Sequence, residues 1–161
     1  MLSDTQQRVN QRLYHFRLNQ RLRVEANGPA NSAALAESLI FHLKLVYQNY
    51  LQELAELYRV VLDSRSFRAV DLQRALGSMA AGEVSELVIL ECGSGWLSEL
   101  VTAWTQCEQG LSDAGSSRGK GEIALVDLSS VSVLPDLSAV IHAGEQMELL
   151  INTQRSHFDE W

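Results

Sequence analysis

The candidates for chemistry in this sequence begin with an arginine and a histidine. Arg8 and His15 stand seven residues apart, so a helix would carry them about two turns apart on one face. There an imidazole can act as acid or base and a guanidinium can hold phosphate, as in one class of helical RNA-cleaving domain. The plainer reading is two polar residues on a basic helical face, because a two-residue match is common by chance. His42 follows Phe41 at the border of an apolar stripe. A metal ligand there would need an acid three or four residues away, and Glu37 is five away on a different side. His142, Glu145 and Glu148 have the i, i+3, i+6 spacing of half a carboxylate metal site. His142, however, points away from the apolar seam of its own segment, so the three read as a solvated face.

Other motifs fail on spacing. Gly115-Ser-Ser-Arg-Gly-Lys-Gly121 is one residue short of a phosphate-binding loop, and no Ser or Thr follows Lys120. Ser94 and Ser98 lack a GxSxG elbow. Cys92 and Cys107 form no CxxC pair and read as reduced thiols filling small apolar spaces. Tyr47, Tyr50, Tyr58, Trp96 and Trp104 read as core, or as the walls of a pocket for an apolar ligand. No metal or cofactor is expected.

The elements that would position these groups are helices. A hydrophobic fraction of 46% supplies a core, and 2 Pro with 10 Gly are too few turn signals for a β-sandwich or barrel of 161 residues. Residues 3–25 predict one helix capped by Ser3 or Asp4, with Leu2, Val9, Leu13, Phe16 and Val24 on one face. Tyr14, Leu18 and Leu22 form a second stripe opposite. Asn27-Gly28-Pro29-Ala30-Asn31 ends that helix. Residues 32–62 predict a spine on the order of 45 Å long, with Leu39, Leu43, Val46, Tyr47, Tyr50, Leu54, Leu57, Tyr58 and Val61 on its apolar side. Short helices follow at 69–79 and, for a turn or two, at 84–91. The segment 96–109 predicts a helix ended by Gly110, and Gly/Ser-rich 110–121 a flexible loop. Segment 122–134 is β-prone and reads as an extended arm or a small hairpin. Pro135-Asp136 opens the last helix, whose seam runs through Leu137, Val140, Gly144, Met147, Ile151, Gln154, Phe158 and Trp161; Gly144 would admit a close helix neighbour.

Charge narrows the function classes. The formal net charge is −7. Residues 1–25 hold Arg8, Arg12, Arg17, Arg21 and Arg23 against Asp4 and Glu25, a balance of +3, which leaves 8 basic and 18 acidic residues, −10, in the remainder. A net acidic chain is a poor general binder of nucleic acid. No apolar run approaches the ~20 residues that cross a bilayer, and the N-terminal residues do not read as a secretory signal. The expectation is a cytoplasmic protein with no membrane or nucleic-acid partner. Two apolar stripes cannot both face one core of ordinary width, so the second stripe needs another layer, which the 122–134 arm, another helix or a second subunit could supply; the expectation is that this stripe with its arginines is a contact surface for a partner protein or a second copy, such as a homodimer. The residues of that surface are Arg8, Arg12, Tyr14, Leu18, Arg21 and Leu22.

Several residues together are familiar. They are Asn10-Gln11-x-Leu13-Tyr14, Glu37-x-x-x-Phe41-His42-Leu43, Tyr47-x-x-Tyr50-Leu51-x-Glu53, Gly95-Trp96-Leu97 and Glu160-Trp161. Their order resembles an uncharacterised gammaproteobacterial family of small proteins, classed as a domain of unknown function, over nearly the whole chain. The resemblance implies an all-helical cytoplasmic protein with no assigned activity and no catalytic residues to carry over.

The expected fold is all-α: one domain over 1–161, an up-and-down bundle of four main helices with one or two short extra helices. The expected function is a non-enzymatic interaction or scaffold bundle. The alternatives are an RNA-cleaving or other hydrolase-type domain using Arg8 and His15, or a small-ligand-binding bundle. An enclosed cavity with converging titratable groups would favour either alternative.

Overall fold

The computed structural model of the chain describes residues 2–25, 27–79, 81–113 and 134–159. Those residues form six α-helices and one 3-10 turn, with no strand among them. Helix α1 spans Asp4–Gln20 and continues into the 3-10 turn Arg21–Val24; α2 spans Pro29–Leu57, α3 Ala69–Leu76, α4 Gly82–Cys92, α5 Trp96–Asp113 and α6 Leu137–Asp159. The fold class is all-α, as expected. The segment expected to be an arm or hairpin, and the part of the Gly/Ser loop from 114 onward, lie outside the described residues except for Leu134.

Local chemistry explains most of the boundaries. Ser3 and Gln6 form a reciprocal capping box at the start of α1: the Ser3 hydroxyl accepts from the Gln6 amide, and the Ser3 amide donates to Gln6 Oε1 at 3.0 Å. Gly28 takes φ +85°, which favours glycine, and Pro29 is the first residue of α2, so the linker motif opens the second helix rather than only closing the first. Asp136 Oδ1 accepts from the Ala139 amide at 2.8 Å and caps α6.

The structure departs from expectation in several places, among them α3, which ends at Leu76 rather than Met79 where Gly77 turns the chain at φ +61°. The spine ends at Leu57, not Leu62. The Val60 amide donates to Ala55 O and the Arg59 amide to Glu56 O, with Arg59 at φ +56°, a Schellman cap built without glycine. Val61 is consequently 94% exposed, and Leu57 is exposed as well. Leu2 and Val24 do not join the buried face of α1. Leu2 precedes the cap, and the 3-10 turn advances about 120° per residue instead of 100°, which swings Val24 into solvent. Helix α4 has 11 residues, about three turns. Helix α5 passes through Gly110 to Asp113, as a single interior glycine costs only about 1 kcal/mol.

The core forms where the apolar faces meet. Val9, Leu13 and Phe16 of α1 pack with Leu39, Ile40, Leu43, Val46, Tyr47 and Tyr50 of α2, with Leu97, Leu100 and Trp104 of α5, and with Val140, Met147 and Ile151 of α6. Leu72 and Leu76 of α3 and Val84 and Leu87 of α4 extend it. Trp104 stacks on Tyr47 at 5.7 Å between centroids and donates its indole N–H to the Ile40 carbonyl at 3.0 Å. Gly144 is buried against the Phe16 ring, so this glycine does admit a close helix neighbour. Thr5 hydrogen-bonds Glu56 and Asn19 contacts His42, so α1 runs antiparallel to α2. Arg17 meets Glu148 and Arg155 meets Asn10, so α1 runs antiparallel to α6 too.

Candidate functional site

Helix α1 has two unlike sides. Val9, Leu13 and Phe16 are buried. Opposite them, Tyr14 is 56%, Leu18 38% and Leu22 46% exposed. Arg8 and Arg21 are exposed and Arg12 is half-buried. The residues expected at a contact surface therefore fall on one outward-facing strip of α1 and the 3-10 turn, apart from Arg12, which leans toward α2. Toward the start of the helix the strip runs into an open hollow of about 460 Å³, lined by Asp4, Gln7, Arg8 and Gln11. Arg17 is set apart from the other arginines of this segment, because its Nε donates to Glu148 Oε2 at 3.1 Å. Among the described residues, Arg8, Arg12, Arg21 and Arg23 have no carboxylate within ion-pair distance.

Arg8 and His15 do not contact one another. The His15 ring lies instead between Tyr14, 6.3 Å away, and His42, which it meets edge-on at 6.5 Å. Asn19 Nδ2 donates to the His15 carbonyl at 2.9 Å and to His42 Nε2 at 3.2 Å. The accepting Nε2 assigns the ring proton to Nδ1, which is buried and has no partner. Burial, then the neighbouring His15 and Arg12, hold the His42 pKa below the ordinary imidazole value. His42 thus accepts one hydrogen bond, and its lowered pKa favours the neutral ring.

Apart from His42 Nδ1, the buried side-chain polar groups among the described residues have hydrogen-bond partners. Glu91 of α4 is buried, and its carboxylate accepts from the Tyr47 hydroxyl at 2.8 Å, Arg68 Nε at 3.0 Å and the Ala69 amide at 2.6 Å. That last bond meets an orphan amide at the start of α3, so a side chain of one helix caps another. The Tyr50 hydroxyl donates to Gln154 Oε1 at 2.6 Å, and Gln154 Nε2 donates to Glu86 Oε2 at 2.7 Å. The Tyr58 hydroxyl donates to Glu83 Oε2 at 2.6 Å. Burial first, then the adjoining carboxylates, push all three tyrosine pKa values up, so these hydroxyls stay protonated donors.

A cleft of about 770 Å³ opens between the start of α1 and the ends of α2 and α6. Leu2, Leu57 and Phe158 line it, and Arg155 and Glu53 lie in its wall. That pair is bidentate, Nε to Oε1 at 2.8 Å and Nη2 to Oε2 at 2.7 Å, and Nη1 donates to Asn10. All three guanidinium nitrogens are engaged, so the cation in this wall is already neutralised within the protein.

The remaining sequence candidates stay apart. His142 and Glu145 are exposed, and Glu148 serves Arg17. Among the described residues no group of three His, Cys, Asp or Glu side chains could hold a metal ion. No helix of the described residues is long and apolar enough to cross a membrane. Cys92 is exposed, which corrects the expectation of a small apolar filler, whereas Cys107 is half-buried. Burial, then Glu37 and Glu108, raise the Cys107 pKa and keep it a thiol.

Sequence reasoning passed over Glu91 and Glu53. The signal was present, because each acid sits on an apolar helical stripe. The stripes are Val84, Leu87, Glu91 on α4 and Val46, Tyr50, Glu53, Leu54 on α2. A search for exposed chemistry discards such acids, although an acid on a buried stripe must find donors.

No curated protein and no solved structure matches the chain. A family model described as a family of unknown function, DUF6586, matches residues 1–161. Over its whole length, then, two-sided first helix included, the chain belongs to the DUF6586 family.

Proposed function

We propose that this protein is a non-enzymatic interaction or scaffold module of the bacterial cytoplasm. It is one domain over 1–161, with α1, α2, α5 and α6 as the main helices of an up-and-down bundle. It docks a partner protein or a second copy on the outward strip of α1. The observation that carries this reading is the exposure of Tyr14, Leu18 and Leu22 directly opposite the buried Val9, Leu13 and Phe16. An apolar row beside unpaired arginines suits a contact surface. The hydrolase alternative has less support, because His15 adjoins another histidine rather than Arg8, and among the described residues no carboxylate lies within ion-pair distance of it.

The test is Leu18→Asp. The wild type and the variant, both shown folded by circular dichroism, are compared as baits in the native host and by light scattering. The reading expects a protein captured reproducibly by the wild type and lost by the variant, or a wild-type oligomer reduced to a monomer. Identical captures and identical masses for the two proteins overturn it.

A further inference from the structure

We infer that the partner is an acidic amphipathic helix of another protein, laid along Tyr14, Leu18 and Leu22 with its carboxylates against Arg8 and Arg21. This inference rests on the docking reading above and names the partner's chemistry. At 100° per residue Arg8 lies about 80° to one side of Leu18, and Arg21, at the start of the 3-10 turn, lies about 40–60° to the other. The apolar row is thus flanked by a cation on each edge. Both arginines are exposed, and neither has a carboxylate partner among the described residues. Arg17, on the flank facing α6, shows what this segment's guanidinium groups do when an acid is in reach, because Glu148 takes it.

Size and charge separate the possible occupants. From Tyr14 to Leu22 the row is about 12 Å long. A stable interface buries about 800 Å² per partner, and obligate homodimers are larger and more apolar. Three partly exposed apolar side chains fall short of that, so the flanking guanidinium groups must contribute contacts of their own. A second copy presenting the same strip would set arginine against arginine, with Asp4 and Glu25 as the acids of the first 25 residues. A bilayer surface requires a longer apolar face; Gln7 and Gln11 interrupt this one before Tyr14, and the −10 remainder is repelled by anionic lipid. A helix with leucines at i, i+3 or i+4, and i+7 and glutamates beside them meets both requirements.

The test uses the full chain and two labelled synthetic 21-residue peptides in fluorescence anisotropy. Both carry leucines at helical spacing; one fills the flanks with glutamate and the other with glutamine. The glutamate peptide is expected to bind at least about tenfold more tightly. Its binding should weaken about tenfold in R8E/R21E and with salt raised to 1 M, and should be unchanged in R65E, a charge reversal at an exposed arginine elsewhere. Equal binding of the two peptides, lost in Leu18→Asp, overturns the acidic class while the docking strip stands. Equal weakening by R65E and R8E/R21E overturns it as bulk charge. Binding to phosphatidylglycerol vesicles, with no binding of either peptide, overturns it in favour of a lipid surface. Binding to neither peptide nor vesicles also overturns it, and the docking strip is then judged by the Leu18→Asp capture.

Discussion

Gly144→Ala tests the close approach of α6 to α1. A Cβ built on Gly144 would fall well inside van der Waals contact with Phe16 Cζ and Cε1, and 3.0 Å from Cε2. Carbon atoms prefer about 3.5–4.0 Å, so the ring must move by more than 1 Å or the α1–α6 spacing must widen. Phe16 is 2% exposed, so its ring is enclosed by neighbouring side chains. Overpacking of this kind costs about 1–3 kcal/mol. Replacing a mid-helix glycine with alanine returns about 1 kcal/mol through propensity. The net expectation is a destabilisation of about 0–2 kcal/mol, or a fall in Tm of up to roughly 8 °C at this chain length.

The assay is urea unfolding followed by circular dichroism, for wild type, Gly144→Ala, Phe16→Leu and the double variant. Phe16→Leu alone loses core volume and destabilises. Combined with Gly144→Ala, the smaller side chain accepts the new methyl, so the double variant should be more stable than the sum of the singles by about 1–2 kcal/mol. A Gly144→Ala protein more stable than wild type by about 1 kcal/mol, the result for an unopposed helical glycine, would refute the contact. So would additive single effects.

Two further predictions concern buried polar groups. Glu91→Ala strands the Tyr47 hydroxyl, Arg68 and the Ala69 amide at once and should cost about 3–5 kcal/mol, read from urea midpoints; a loss under about 1 kcal/mol would show that water replaces the carboxylate. His42 has a folded pKa below the 6.5 of an ordinary imidazole, so the unfolded chain binds its proton first as pH falls. Its penalty is absent above that value, grows as pH drops through it and levels off below the folded pKa. His42→Gln should remove this component, and parallel pH curves for variant and wild type would refute it.

The long helices are legible in the sequence because burial enforces one spacing along them. Val9, Leu13 and Phe16, and Leu39 through Leu54, are readable for that reason, as is the tolerance for Gly144. The end of the spine is not. No glycine or proline marks it, and the turn is held from outside the helix: Gln48 and Gln52 donate to the carbonyls of Arg65 and Asp63, drawing the following loop back along α2. Such a stop depends on contacts 11 and 17 residues away, which local propensity does not encode. The outward strip of α1 is legible through the same rule that locates the core, since a second apolar row on one helix has no room in it.

The polar interior supports the same division of labour. Tyr47, Tyr50 and Tyr58 all stand on α2 or at its end, and each hydroxyl reaches a side chain of α4 or α6. Three directional bonds along one spine fix the rotation and height of the helices around it, which apolar contact alone specifies poorly. A catalytic site needs the opposite arrangement, with polar groups left unsatisfied by the protein and facing a ligand. Here the buried acids and tyrosines satisfy each other, while Arg8 and Arg21 remain open to solvent. Among the described residues these two unpaired cations lie on the surface beside the outward apolar row, and a partner that meets the row must meet them too.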